Sequence, residues 1–141
     1  MNRLLPIFKA SFFVPLFGDG STKFQPVFID DVSLAVDEII NFQTEKKNIY
    51  ELAGPRIYSY KKFFNHISNF LNKTRVFFPV PMAVMKPMIN IAEKTPFSPL
   101  TSEQLKLFEK DNLIVKVDKS FQNLNINPQD TLQILKNIVV N

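Results

Sequence analysis

The chain has 141 residues, enough for one domain with a real core and too few for two comfortable ones. It is 45% hydrophobic and 21% charged, ordinary for a globular protein, and its lack of cysteine excludes disulfide scaffolds, thiol catalysis and thiolate metal sites. The net charge of +4 is uneven: residues 54–95 hold seven Lys or Arg against Glu93 alone, a local +6 that reads as a solvated basic face or as attraction to an acidic partner or an anionic membrane surface, while nucleic acid is not expected because no binding motif accompanies the charge.

The first twenty residues superficially resemble a secretory signal, with Arg3 ahead of an apolar stretch. Pro6 and Lys9 interrupt that run and no clean cleavage site follows, so a helix over residues 2–10 leading into a strand over 14–17 is expected instead. No run reaches the roughly 18 to 20 apolar residues that a spanning helix needs. Gly18-Asp19-Gly20-Ser21 then reads as a turn whose glycines supply positive φ; it lacks the third glycine and the Lys of a phosphate-binding loop.

Pro26-Val27-Phe28-Ile29 is a compact apolar run expected to form a strand, and Asp31 is expected to cap the helix that follows. In that helix Val32, Ala35, Val36, Ile39 and Ile40 paint one apolar stripe. A second strand is expected over 49–52, closed by Ala53-Gly54-Pro55. Strand, helix and strand over about 27 residues is the length of a crossover unit, so the two strands should be parallel.

Ser59 is placed to cap a helix whose positions Tyr60, Phe63, Phe64, Ile67, Phe70 and Leu71 hold the 3.6-residue period. His66, the only histidine, has no Cys or second His to share a metal with and reads as a boundary residue. A strand at 75–78 follows. Residues 82–93 are apolar on more than one face despite Pro87, which fits a helix packed on both sides or one covering a cleft, a partner or a membrane. Thr101 and Gln104 match the capping box, residues 113–115 read as extended, Phe121 and Leu124 anchor a short helical turn, and Pro128 is placed at the first position of the last helix. The fold class is α/β: a portion of a parallel sheet, with strands and crossover helix over about 14–55, followed by a mostly helical lobe over about 59–139, in one domain.

Chemistry-bearing constellations are scarce. Asp30-Asp31 is an adjacent acidic pair, and neighbours at a helix start point in different directions. Tyr58 and Lys62 have a Tyr-x-x-x-Lys spacing, but it straddles the start of an amphipathic helix and reads as coincidence. Neither a catalytic residue nor a metal site is expected.

Read together, FQPVFIDDVSLAV, at 24–36, and NIYELAGPRIYSYKKFF, at 48–64, resemble the C-terminal half of extended short-chain dehydrogenase/reductases, the NAD-dependent epimerase/dehydratase family. More narrowly the chain resembles the branch of that family holding an NAD(P)H-binding accessory subunit of respiratory complex I, through Asn2-Arg3, Pro15-Leu16-Phe17-Gly18-Asp19-Gly20, residues 23–27, Asp31-Val32, residues 50–55, Leu100-Thr101 and Asp111-Asn112. The resemblance implies a Rossmann-like sheet whose dinucleotide loop and catalytic Tyr-x-x-x-Lys lie upstream of Asn2, hence a truncated member that binds no NAD(P) alone and is non-catalytic by itself. It also implies a substrate-side cleft near Asn2, Lys23, Phe24 and Gln25, with Phe24 where sugar-nucleotide epimerases place an Arg. The partners implied are a missing N-terminal half or other protein subunits, at a location that is cytoplasmic or peripheral to the inner face of a respiratory membrane. Two other readings compete: the substrate lobe of an epimerase or reductase, and a binding module that self-associates through an open sheet edge.

Overall fold

The computed structural model describes residues 11–41, 49–95, 98, 100–114 and 119–140. Asn2, the helix expected over 2–10 and the end of the extended segment 113–115 lie outside them. The described part is mixed α/β, with a two-stranded parallel sheet and five α-helices, consistent with the C-terminal portion of a Rossmann-like protein.

The parallel pair joins β1 (Phe13–Phe17) to β4 (Val76–Val80), in the register Phe13 with Val76 and Phe17 with Val80. Donation from Val76 N to the Phe12 carbonyl and from Gly18 N to the Val80 carbonyl fixes the phase of the ladder. Residues 76, 78 and 80 therefore turn their backbone groups toward β1, and residues 12, 14, 16 and 18 turn theirs toward β4. Pro15 and Pro79 both fall on the outward positions, where a missing N–H costs no ladder bond. The outward carbonyls of Phe13 and Phe17 are taken by Ser11 Oγ and Gly20 N. Both margins of this sheet are thus poorly equipped to add a strand.

A second, two-residue antiparallel pair joins β2 (Lys23–Phe24) to β3 (Tyr58–Ser59). Helix α1 (Ile29–Asn41) lies between them in sequence. Helices α2 (Tyr60–Phe70), α3 (Met82–Ala92), α4 (Ser102–Lys106) and α5 (Thr131–Val140) follow, with a 3-10 turn over Phe121–Leu124. Ser59 accepts from Lys62 N at the head of α2, and Thr101 and Gln104 form the reciprocal capping box on α4.

The crossover expected around α1 differs. Neither 26–29 nor 49–52 forms a strand among the described residues. The Phe28 carbonyl accepts from Val32 N and so opens the helix, which places Asp30 and Asp31 inside the first turn rather than ahead of it. Asp31 is not the cap. An apolar run becomes a strand only when a neighbour completes its ladder; here the Pro26 carbonyl goes to Thr131 Oγ1 and Glu51 N goes to the Lys119 carbonyl. The two segments still lie side by side, because Gly54 sits directly against Pro26.

Two apolar clusters result. The larger gathers Val14, Leu16, Phe63, Phe64, Ile67, Met85, Ile89, Leu105 and Phe108 between the parallel pair and α2 to α5. Aromatic rings run through it: Phe17 lies 3.9 Å from Phe108, Phe108 lies 4.3 Å from Tyr60, and Tyr60 stacks at 4.3 Å on Phe24. The smaller packs Ala35, Phe121 and Leu124 with Val27, Val32, Ile39, Tyr50 and Leu52. Val36 and Ile40, expected on the same stripe, are exposed.

Gly54 gives the sharpest local test. A Cβ there would lie 1.9 Å from the Pro26 carbonyl oxygen, whereas one on Gly18, at φ +61, would meet nothing within 4 Å. Gly54→Ala is expected to cost ~3 kcal/mol, at the upper end for overpacking, and Gly18→Ala ~1 kcal/mol for the left-handed backbone alone. Urea melts of the two variants measure the difference, and equal losses would contradict the close approach.

Candidate functional site

Around Gly54 the chain is tied by polar groups from three distant stretches. Asp31, 2% exposed, accepts at Oδ2 from Gln129 N over 2.8 Å and at Oδ1 from Gln129 Nε2 over 3.4 Å. Next along the chain, Asp130 accepts at both oxygens from the Tyr58 hydroxyl, at 3.0 and 3.1 Å, and at Oδ1 from Leu132 N in the first turn of α5. The Arg56 guanidinium pairs with its Oδ2 at 3.1 Å. Thr131 completes the row through its bond to Pro26. Residues 129–131 thus pin the start of α5 to both segments that flank α1.

Beside this junction opens a cleft of about 710 Å³, lined among others by Gln25, Glu51, Gly54, Ser120, Asn125 and Asn127. Its far wall is the 3-10 turn, headed by a reciprocal Ser120–Asn123 cap and ended by Asn125 in the left-handed region at φ 54. Asn tolerates that conformation better than a branched residue does. Among the described residues the polar lining is side-chain amides, one hydroxyl and one carboxylate, with no Lys, Arg or His. Such a surface recognises neutral hydrogen-bonding groups or backbone and is poorly suited to hold a phosphate.

Of the described residues expected at a substrate-side cleft, Lys23, Phe24 and Gln25, only Gln25 lines this one, and its Oε1 accepts from Ile114 N. Phe24 turns into the aromatic core, stacked on Tyr60 and edge-on to Phe63 at 5.1 Å. Lys23 has an exposed side chain, its N–H donates to Asp111 Oδ1, and its carbonyl accepts from Asn112 N. Residues 111–114 therefore run beside 23–25, which explains in hydrogen-bond terms why Asp111-Asn112 accompanies the 23–27 motif.

Asp130, Gln129 and Arg56 were not singled out by sequence reasoning. An acid two residues after Pro128 carried the signal of a helix cap, but the last helix was placed from Pro128 and it starts at Thr131. The Tyr58 hydroxyl is bonded to Asp130. Burial first, and then the Asp130 carboxylate, raise its hydroxyl above the usual tyrosine range, the opposite of what a Tyr-x-x-x-Lys pair needs. His66 has ring contacts with Tyr58 and Phe70. Among the described residues no group of His, Cys, Asp or Glu could hold a metal ion, and no helix is long and apolar enough to cross a membrane.

No family model matches the chain. It is similar to NADH dehydrogenase (ubiquinone) 1 alpha subcomplex subunit 9, mitochondrial, of Arabidopsis thaliana, at 29% identity over 82% of this chain and 31% of that protein. It is also similar to the NADH-ubiquinone oxidoreductase 40 kDa subunit, mitochondrial, of Neurospora crassa, at 26% identity over 77% of this chain and 29% of that protein. The chain thus spans about a third of the length of these relatives, and the matches support the complex I accessory-subunit branch.

Asp31→Ala removes the buried carboxylate that accepts from Gln129 N and is expected to cost about 1–3 kcal/mol in a urea melt; a loss below about 0.5 kcal/mol, the size of an ordinary surface change, would contradict the junction. Tyr58 predicts a pH dependence. Its folded-state pKa is raised, so its contribution is complete below about pH 10 and is lost as pH climbs through the raised value. Tyr60, raised by burial, acts in the same direction. Thermal melts from pH 9 to 11 should show stability falling with pH in the native chain and less steeply in Tyr58→Phe; identical slopes would contradict the assignment.

Proposed function

We propose that the chain is the C-terminal portion of an accessory subunit of NADH–ubiquinone oxidoreductase, with a structural or assembly role and no catalysis by itself. One observation carries this: two proteins named as subunits of that enzyme, from a plant and a fungus, align with about four-fifths of the chain. The motifs at 23–27 and 50–55 support a descent from extended short-chain dehydrogenase/reductases. On this reading NAD(P) binding belongs to the part of such a subunit outside the matched third, and the chain sits peripherally at a respiratory membrane.

The surface supports a docking role. Strand geometry puts Phe13, Pro15, Phe17, Val76, Phe78 and Val80 on one face of the parallel pair, opposite Val14, Leu16 and Phe77; Phe17 and Val80 at its end are packed in the core, and its beginning is open. Phe13 is 59% exposed, and Val76 and Phe78 are each 41% exposed. Parallel sheets are ordinarily covered on both faces, so an apolar face left in water is suited to a protein neighbour. With prolines at both margins, that neighbour would use the face rather than extend the sheet.

A tagged copy expressed in its own cells should co-migrate on native gels with NADH dehydrogenase activity. Phe78→Glu should release it to the free fraction without changing its circular dichroism. Migration of the unaltered chain only as a free species would overturn the proposal.

A further inference from the structure

Away from the junction, a second cavity of about 450 Å³ opens where α2 ends and β4 begins. Its lining is Asn65, Ser68, Asn69, Asn72, Lys73, Thr74, Arg75 and Phe77. The apolar period of α2 leaves Asn65, Ser68, Asn69 and Asn72 on one side of the helix, at intervals of three and four. The chain then turns through Asn72 at φ 50, with Lys73 N donating to the Ser68 carbonyl and Asn72 N to the Asn69 carbonyl. This αL turn satisfies two carbonyls at the helix end and swings Lys73 and Arg75 round to the same cavity.

Ser68 is the anomalous member. It is only 4% exposed, and its hydroxyl has no hydrogen-bond partner. A buried hydroxyl without a partner costs on the order of a hydrogen bond, so its place on a polar cavity wall calls for a ligand atom. Among the described residues the lining contains no carboxylate, which disfavours a cation. The end of a helix carries about half a negative charge, and Lys73 and Arg75 bring two full positive ones. Arg75, which donates from Nη1 to the Thr74 carbonyl, carries a planar guanidinium of the shape that recognises phosphate oxygens.

We propose that this cavity binds a phosphate group, held by Lys73 and Arg75 with Ser68 Oγ and the asparagine amides as further donors. The phosphate is either a free ion or metabolite or the headgroup of an anionic lipid. The site is separate from the 710 Å³ cleft and does not depend on the proposed subunit role.

The test is titration of the isotope-labelled full chain with inorganic phosphate at constant ionic strength, followed by amide shifts. Saturable movement of residues 65–77 is expected, with binding about tenfold weaker in Arg75→Gln and clearly weaker in Ser68→Ala. Ser68→Ala keeps the charge, so its loss of binding separates a built site from diffuse attraction, and unchanged melting checks its fold. Vesicles of phosphatidylglycerol and of phosphatidylcholine distinguish the sources. Binding to the former alone, competed by phosphate, identifies a lipid headgroup; saturable phosphate binding without vesicle binding identifies a soluble ligand. Linear shifts, or equal affinity in the native chain and both variants, overturn the proposal.

Discussion

A buried carboxylate organises this chain. Asp31 is removed from water and compensated by the backbone N–H and side-chain amide of a residue 98 positions away. Isolated burial of an ionised carboxylate is costly, so the bond and the burial require each other. Its neighbours repeat the arrangement, with Thr131 joined to Pro26 and Asp130 joined to Tyr58 and Arg56. Each link ties the start of the last helix to a segment near α1, and Gly54 lets two of those segments touch. The cleft beside them exists because these backbones are held in place without being hydrogen-bonded into a sheet.

Much of the core was legible because it rests on local rules. The period of α2, the box at Thr101 and Gln104, and the glycines at positive φ each depend on a few adjacent residues. The segments 26–29 and 49–52 are not strands, although their composition suggests it, because a strand is a relation between two stretches. Their residues are apolar and β-branched enough, but their backbone groups go to Thr131, Val32 and Lys119. Asp31 and Asp130 illustrate the same limit at the site. An acid near a helix start looks like a cap in either position, and only tertiary geometry makes one a partner of Gln129 and the other a hub for Tyr58 and Arg56. Gln25, part of the 23–27 motif, lines the cleft, whereas Phe24 beside it faces the core, as alternation along a strand requires.

The surface has an equally uneven character. One face of β1 and β4 packs on the core through Val14, Leu16 and Phe77, and the other presents Phe13, Val76 and Phe78 to solvent at its beginning while Phe17 and Val80 are packed at its end. On α3 the positions Met85 and Ile89 are buried while Val84, Met88 and Ile91 are exposed, so a second apolar stripe runs along the same helix. Lys86, on that helix, is engaged with Glu109. Part of the basic excess is thus neutralised within the molecule, as it is at Arg56, and the apolar surfaces rather than bulk charge are the stronger argument for protein neighbours.

The Gln129 amide is where this account is most directly exposed to test. In native-state hydrogen exchange on the intact chain, its N–H should belong to the slowest class, with the buried amides of α2 around Phe63 to Ile67, since both open only when the clusters separate. Exchange of Gln129 at the rate of an exposed loop amide such as Asn127 would contradict the claim that the buried Asp31 carboxylate holds the fold together.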